Sequence, residues 1–107
     1  MIAKPTEPYQ SMDAMAAHAD EAATMLRALG HGARLKVLCD LVGGERSAGE
    51  LVKASGLSQS ALSQHLAKLR EEKIVETRRD GQTIFYRLGD PAIARVLDVL
   101  HELYCQK

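Results

Sequence analysis

Residues 57–88 read LSQSALSQHLAKLREEKIVETRRDGQTIFYRL, and two periodicities meet inside them. In the first half Leu62, Leu66 and Leu69 form one apolar row at helical spacing, with Gln59, Ser60, Ser63, Gln64 and Lys68 largely on the other side. Ser58 stands before this run as an N-cap, its hydroxyl suited to accept a first-turn N–H. Beyond Lys73 the pattern turns strand-like. Residues 74–78 and 83–88 are rich in β-branched and aromatic side chains, and Asp80-Gly81 between them is a hairpin signal.

Working upstream, Ser47-x-x-Glu50 is a capping box that opens a short helix closing at Ser55-Gly56. A short capped helix, a tight turn at Gly56-Leu57 and a helix with a polar outer row make a helix-turn-helix pattern, and the hairpin after it takes the place of a wing. Before that, residues 33–42 form a helix with Leu35, Leu38, Cys39, Leu41 and Val42 on its inner side, ended by Gly43-Gly44. Residues 12–29 carry Met15, Ala16, Ala19, Ala23, Leu26 and Leu29 at helical spacing and predict one long helix that stops at Gly30. Residues 1–10, with Pro5 and Pro8, are expected to be a flexible arm, leaving 11–107 as the domain. Downstream, Asp90-Pro91 is an N-cap and N1 pair opening a last helix through Ile93, Val96, Leu97, Val99, Leu100, Leu103 and Tyr104. The expected fold is mainly α with a β-hairpin wing, in the order α-α-α-α-β-β-α.

At 107 residues and 46% apolar composition the chain supports one domain with a modest core. No run approaches the roughly 18 apolar residues of a membrane span, and MIAKPTEPYQ lacks the apolar stretch of a signal peptide. Two cysteines are too few for a disulfide-stapled secreted scaffold. The expected location is cytoplasmic and reducing, with no membrane partner. Fourteen basic and fourteen acidic residues cancel, but unevenly: residues 58–88 hold six basic groups against four acidic ones, while both ends are mildly acidic.

The excess of positive charge thus coincides with the helix-turn-helix and hairpin. Three serines within six residues cost helix stability, yet short hydroxyls and amides are what base edges and phosphate oxygens require of a helix in a major groove. Arg78, Arg79, Gln82 and Thr83 near the hairpin tip are placed to reach the adjacent backbone or minor groove. Each piece alone is compatible with an ordinary solvated surface; their coincidence favours double-stranded DNA as partner. The last helix is apolar around more than half its circumference and the first is rich in Ala and Met on one side. These two helices either cover the monomer's own core or pair with their copies in a homodimer. The second reading is favoured, with two recognition helices on a pseudo-palindromic operator.

These residues resemble the arsenic-repressor (ArsR/SmtB) family of winged-helix transcriptional repressors, from about Ala22 to Cys105. The carriers are LRALGHGARL at residues 26–35, SAGEL at 47–51, the segment 57–88 and the terminal LHELYCQ. Gly32 departs from the proline that many members have after the histidine. The resemblance implies that Ser60, Ser63, Gln64 and His65 face DNA and that residues 78–83 form the wing. It also implies where a signal would act. Metal-sensing members carry cysteines where Ala48 and Gly49 stand, and others use an Asp/His set for which Asp90 matches the start, while Ala92, Leu103 and Gln106 occupy the histidine positions. His101 alone cannot build a site of about four ligands. His18 reads as a surface residue and His31 as a helix-boundary residue, so no metal and no cofactor are expected.

Cys39 and Cys105 match the arrangement in the persulfide-sensing, BigR/SqrR/HlyU-like branch of that family, in local sequences LCDL and LYCQ. There, sulfane sulfur from a persulfide links the two thiols within one subunit and DNA is released. On the residues alone, Cys39 on an apolar face reads as an inert buried thiol, and Cys105 at a helix C-terminus sits where the dipole disfavours thiolate, offset by His101 one turn earlier when protonated. Alternatives stay open: a repressor switched by peroxide, haem or metal, a small thiol enzyme using His101 and Cys105, or an interaction module that has lost DNA binding.

Overall fold

A computed structural model describes residues 6–105, with side chains from residue 12 onward. The elements are α1 (Thr6–Ala17), α2 (Ala19–Leu29), α3 (Gly32–Leu41), β1 (Arg46–Ser47), α4 (Ala48–Ser55), α5 (Gln59–Glu71), β2 (Val75–Asp80), β3 (Thr83–Leu88) and α6 (Pro91–Tyr104). The core gathers Val37, Leu38 and Leu41 of α3, Leu51 of α4, Leu62, Leu66 and Leu69 of α5, Val75 of β2, and Ile93 and Leu97 of α6. The apolar row of α5 is therefore its inner face, and the Ser/Gln row is left outside.

The expected caps hold each element where the pattern puts it. Glu50 N–H donates to Ser47 Oγ at 3.1 Å and Ser47 N–H to Glu50 Oε1 at 2.8 Å. Ala61 N–H donates to Ser58 Oγ at 3.1 Å, and Ala92 N–H to Asp90 Oδ1 at 2.9 Å. Between α4 and α5 the chain turns on Gly56, whose φ of 72° lies in the left-handed region that glycine tolerates without steric cost.

The far end of α5 meets the same need with a different residue. Lys73 N–H bonds to the Arg70 carbonyl and Ile74 N–H to the Leu69 carbonyl, a Schellman ending whose left-handed position is Lys73 at φ 63°. Leu69 and Ile74, the apolar pair that accompanies this motif, are both in the core. Gly89 then passes so close that an added Cβ would run into the Lys73 carbonyl oxygen, while its N–H donates to Ile74 at 2.8 Å. This crossing ties the end of α5, the start of the wing and the entrance to α6 together.

Four expectations are corrected. The long first helix is two helices: at His18, φ is −117° and ψ 16°, its N–H tightens onto Met15, and α2 restarts with Asp20 and Glu21 in its first turn. Those acids near a helix N-terminus were the available start signal, masked by continuous apolar spacing across the break. The arm read over residues 1–10 lies outside the described residues as far as residue 5, and from Thr6 the chain is helical. A strand absent from the expected order, β1, stands fourth in the chain and makes the sheet three-stranded in the order β1-β3-β2, with Arg46 opposite Tyr86 and Ser47 opposite Phe85; two residues are too few to show a periodicity. Finally, Cys39 and Val42 are exposed, because the inner face of α3 is set by Val37, Leu38 and Leu41.

Candidate nucleic-acid interface and thiol pair

The helix-turn-helix places Gln59, Ser60, Ser63, Gln64 and Lys68 on the exposed side of α5, with exposed Ser58 capping its first turn. Since the first N–H groups of a helix point outward with the positive end of its dipole, the start of α5 suits phosphate as well as base edges. Lys68 lies 3.7 Å from the half-buried Glu72, a loose pair that leaves the exposed ammonium close to solvent. His65, expected on this face, sits half-buried instead, its ring 4.8 Å from that of His31. Partial burial first, then His31 and Arg34, push its pKa below the ordinary value, which favours the neutral ring. His31 caps α3, its Nδ1 accepting from Ala33 N–H at 3.3 Å.

In the hairpin, β2 and β3 pair in register from Val75 with Leu88 to Asp80 with Thr83, leaving Gly81 and Gln82 as a two-residue loop. Gly81 at φ 64°, followed by a residue without positive φ, is the pattern of a type II′ turn, whose twist suits the strands. Arg79, Gln82 and Thr83 are exposed at this tip. Arg78 is differently employed. Its Nε lies 2.8 Å and its Nη2 2.9 Å from the Glu45 carboxylate, and its guanidinium stacks 4.5 Å from the Phe85 centroid. The pairing holds the Glu45 carboxyl below, and the Arg78 guanidinium above, their ordinary pKa values. Sequence reading put Arg78 and Arg79 together; the structure separates their surroundings. The missed residue is Glu45, 33 positions away in a loop, with no local signal that points to Arg78.

Cys39 in α3 and Cys105 at the end of α6 are both free thiols with exposed residues. Although Cys39 is reachable, partial burial of its sulfur raises its pKa; the Asp40 carboxylate raises it next, and the charge of Cys105, close enough to be felt, raises it further. That last effect makes the two thiols electrostatic neighbours although 66 positions separate them. Among the described residues no group of three or more His, Cys, Asp or Glu is arranged to hold a metal ion, and no helix is long and apolar enough to cross a membrane.

A capped two-helix reader, a basic hairpin beside it and an apolar helical flank define a winged helix-turn-helix DNA-binding regulator. Residues 31–77 match the family described as bacterial regulatory protein, arsR family. The transcriptional activator HlyU of Vibrio cholerae is 43% identical over 96 residues, covering 90% of this chain and 89% of that protein. The crystal structure of the transcriptional repressor BigR from Xylella fastidiosa superposes with a TM-score of 0.84 at 43% identity, covering 90% of this chain and 98% of the other. A homodimeric winged helix-turn-helix DNA-binding domain from Mycobacterium bovis superposes with a TM-score of 0.74 at 32% identity, covering 85% of this chain and 84% of that one. The chain belongs to the arsR family of bacterial regulators, on the HlyU and BigR side of it. Its relatives regulate transcription, and the thiol-enzyme reading gives way to that.

Proposed function

We propose that this protein is a dimeric repressor that holds a pseudo-palindromic operator when its thiols are reduced and leaves it when Cys39 and Cys105 are linked by sulfur. The observation that carries the reading is the pair of reachable thiols on α3 and at the end of α6, near enough for Cys105 to raise the pKa of Cys39. The Ser/Gln face of α5 reads bases, and Arg79, Gln82 and Thr83 meet the flanking backbone. Support for a dimer comes from Leu26 at 61%, Leu103 at 63% and Tyr104 at 72% exposure, apolar side chains that one small subunit leaves uncovered.

The chemistry balances with a low-molecular-weight persulfide as donor. A cysteine thiolate attacks the terminal sulfur of glutathione persulfide, the S–S bond breaks, and glutathione leaves as thiolate. A second transfer lengthens the chain. The other cysteine then attacks the inner sulfur and expels hydrosulfide, leaving a trisulfide; after one transfer only, the same step leaves a disulfide. Joining α3 to the end of α6 couples the DNA-binding core to the dimer helices, and displaces the recognition helices from the spacing of about 34–36 Å that successive major grooves demand.

The test is intact mass with tryptic mapping after glutathione persulfide, and separately after peroxide. A sulfur-bearing Cys39–Cys105 link formed by persulfide alone, with loss of DNA binding, is expected. Cys39→Ser and Cys105→Ser should bind DNA normally and fail to release it on persulfide treatment. Release by either variant, or the same disulfide with both reagents, refutes sulfur sensing and leaves the DNA-binding regulator with another inducer.

A further inference from the structure

Arg78 and Arg79 are consecutive cations on one strand, and a wing has use for a cation at its surface. Their surroundings differ in kind. Arg78 is clamped on three sides: both carboxylate oxygens of Glu45 accept from its guanidinium, Phe85 lies beneath it, and Asp80 stands 4.0 Å away. To reach a phosphate it must abandon a bidentate, charge-assisted contact of the strongest geometry that side chains make. Arg79, opposite Ile84, is exposed on the neighbouring position, where the pleat points it to the other face of the hairpin.

Glu45, for its part, lies in the loop between α3 and β1, and the next residue fixes that loop. Arg46 donates through Nε to the Asp40 carbonyl at 3.3 Å and pairs through β1 with Tyr86 of β3. The loop is thereby held to the end of α3 and to the inner strand, and Glu45 reaches from it to the outer strand. A two-stranded hairpin on its own is weakly held; here an ion pair fastens its outer strand to the loop that follows α3.

We propose that Glu45 and Arg78 are positioning residues, that their ion pair sets the angle of the hairpin against the helix-turn-helix, and that the guanidinium meeting the DNA backbone is that of Arg79. This rests on the reading of the hairpin as a wing, and the experiment separates the two. The probe is a duplex of about three helical turns recovered by in vitro selection with the wild-type protein, titrated over a range of salt.

Glu45→Gln keeps the shape of the side chain and removes the clamp; binding should weaken by up to about fivefold per wing, the most that an exposed ion pair ordinarily contributes, with the salt slope unchanged. Arg78→Glu alone should weaken it further, and the charge-swapped double variant Glu45→Arg/Arg78→Glu, of unchanged net charge, should recover most of the loss. Arg79→Gln should lower the salt slope by about one per subunit. The clamp is overturned if Glu45→Gln binds as tightly as wild type or tighter, which is what a released DNA-contacting Arg78 predicts, or if the swap is no better than Arg78→Glu. If Arg79→Gln leaves affinity and slope untouched, the assignment of Arg79 fails; the wing reading itself fails only if Arg79→Gln, Gln82→Ala and Thr83→Ala combined leave both untouched. Amide exchange in residues 75–88 accompanies each titration: faster exchange in Glu45→Gln with intact helices is the signature of a loosened hairpin, and unchanged exchange refutes the clamp.

Discussion

Asp40 illustrates how one charge beside a thiol sets its chemistry. Only the thiolate attacks a persulfide, and Cys39 has its pKa raised by partial burial, by Asp40 and by Cys105. Since the raised value leaves less thiolate at neutral pH than an ordinary cysteine has, the modification rate should go on climbing with pH beyond the range in which a free thiol levels off. Asp40→Asn removes one of the opposing charges and should accelerate alkylation of Cys39 severalfold at pH 7, followed by mass spectrometry with Cys105→Ser as background. No acceleration would mean that burial alone governs the sulfur. The position of Cys39 on α3 was not legible in advance: helical spacing grouped it with Leu35 and Leu38, whereas the helix turns Val37 inside and leaves the thiol outside. Likewise His65 interrupts a polar row in sequence, and only the approach of His31 across the α3–α5 junction shows why it turns inward.

Elements were legible where caps and periodicity agreed. Ser47 with Glu50, Gly56, Ser58 and Asp90 with Pro91 are local signals for local hydrogen bonds, and α4, α5 and α6 begin where they indicate. The pairing of β1 depends on a distant strand and left little trace, and the acids that mark the start of α2 after His18 were masked by apolar spacing that runs across the break. The end of α5 is the instructive intermediate case. A left-handed residue is needed at position 73 to close the Schellman motif, and the sequence supplies lysine there. A left-handed lysine is strained by roughly 1–2 kcal/mol relative to its right-handed form, whereas glycine is not; Lys73→Gly should therefore stabilise the protein, by about 0.5–1 kcal/mol after the greater entropy of the unfolded glycine chain is counted. Thermal unfolding monitored by circular dichroism reads this directly, and a lower melting temperature would refute the strain argument.

For the whole molecule, the mild positive bias of residues 58–88 and the amphipathic ends are the sequence features behind the proposal of a reader flanked by association surfaces. Met12, Met15, Leu26, Val99, Leu103 and Tyr104 remain exposed on α1, α2 and α6. If they join two copies, Leu103→Glu should yield a monomer in sedimentation and cost DNA affinity, because each half-site is then bound without the other. A variant that stays dimeric would place the interface elsewhere. The sheet carries a further consequence. β1 occupies the free side of β3 at Phe85 and Tyr86, and the hairpin's fully open edge among the described residues is β2, which reads Val75-Glu76-Thr77-Arg78-Arg79-Asp80. Strands so densely and alternately charged make poor templates for one another. If the hairpin is the wing proposed above, copies bound to neighbouring operators bring edges together that resist zipping into a shared sheet, where a bare apolar edge would invite it.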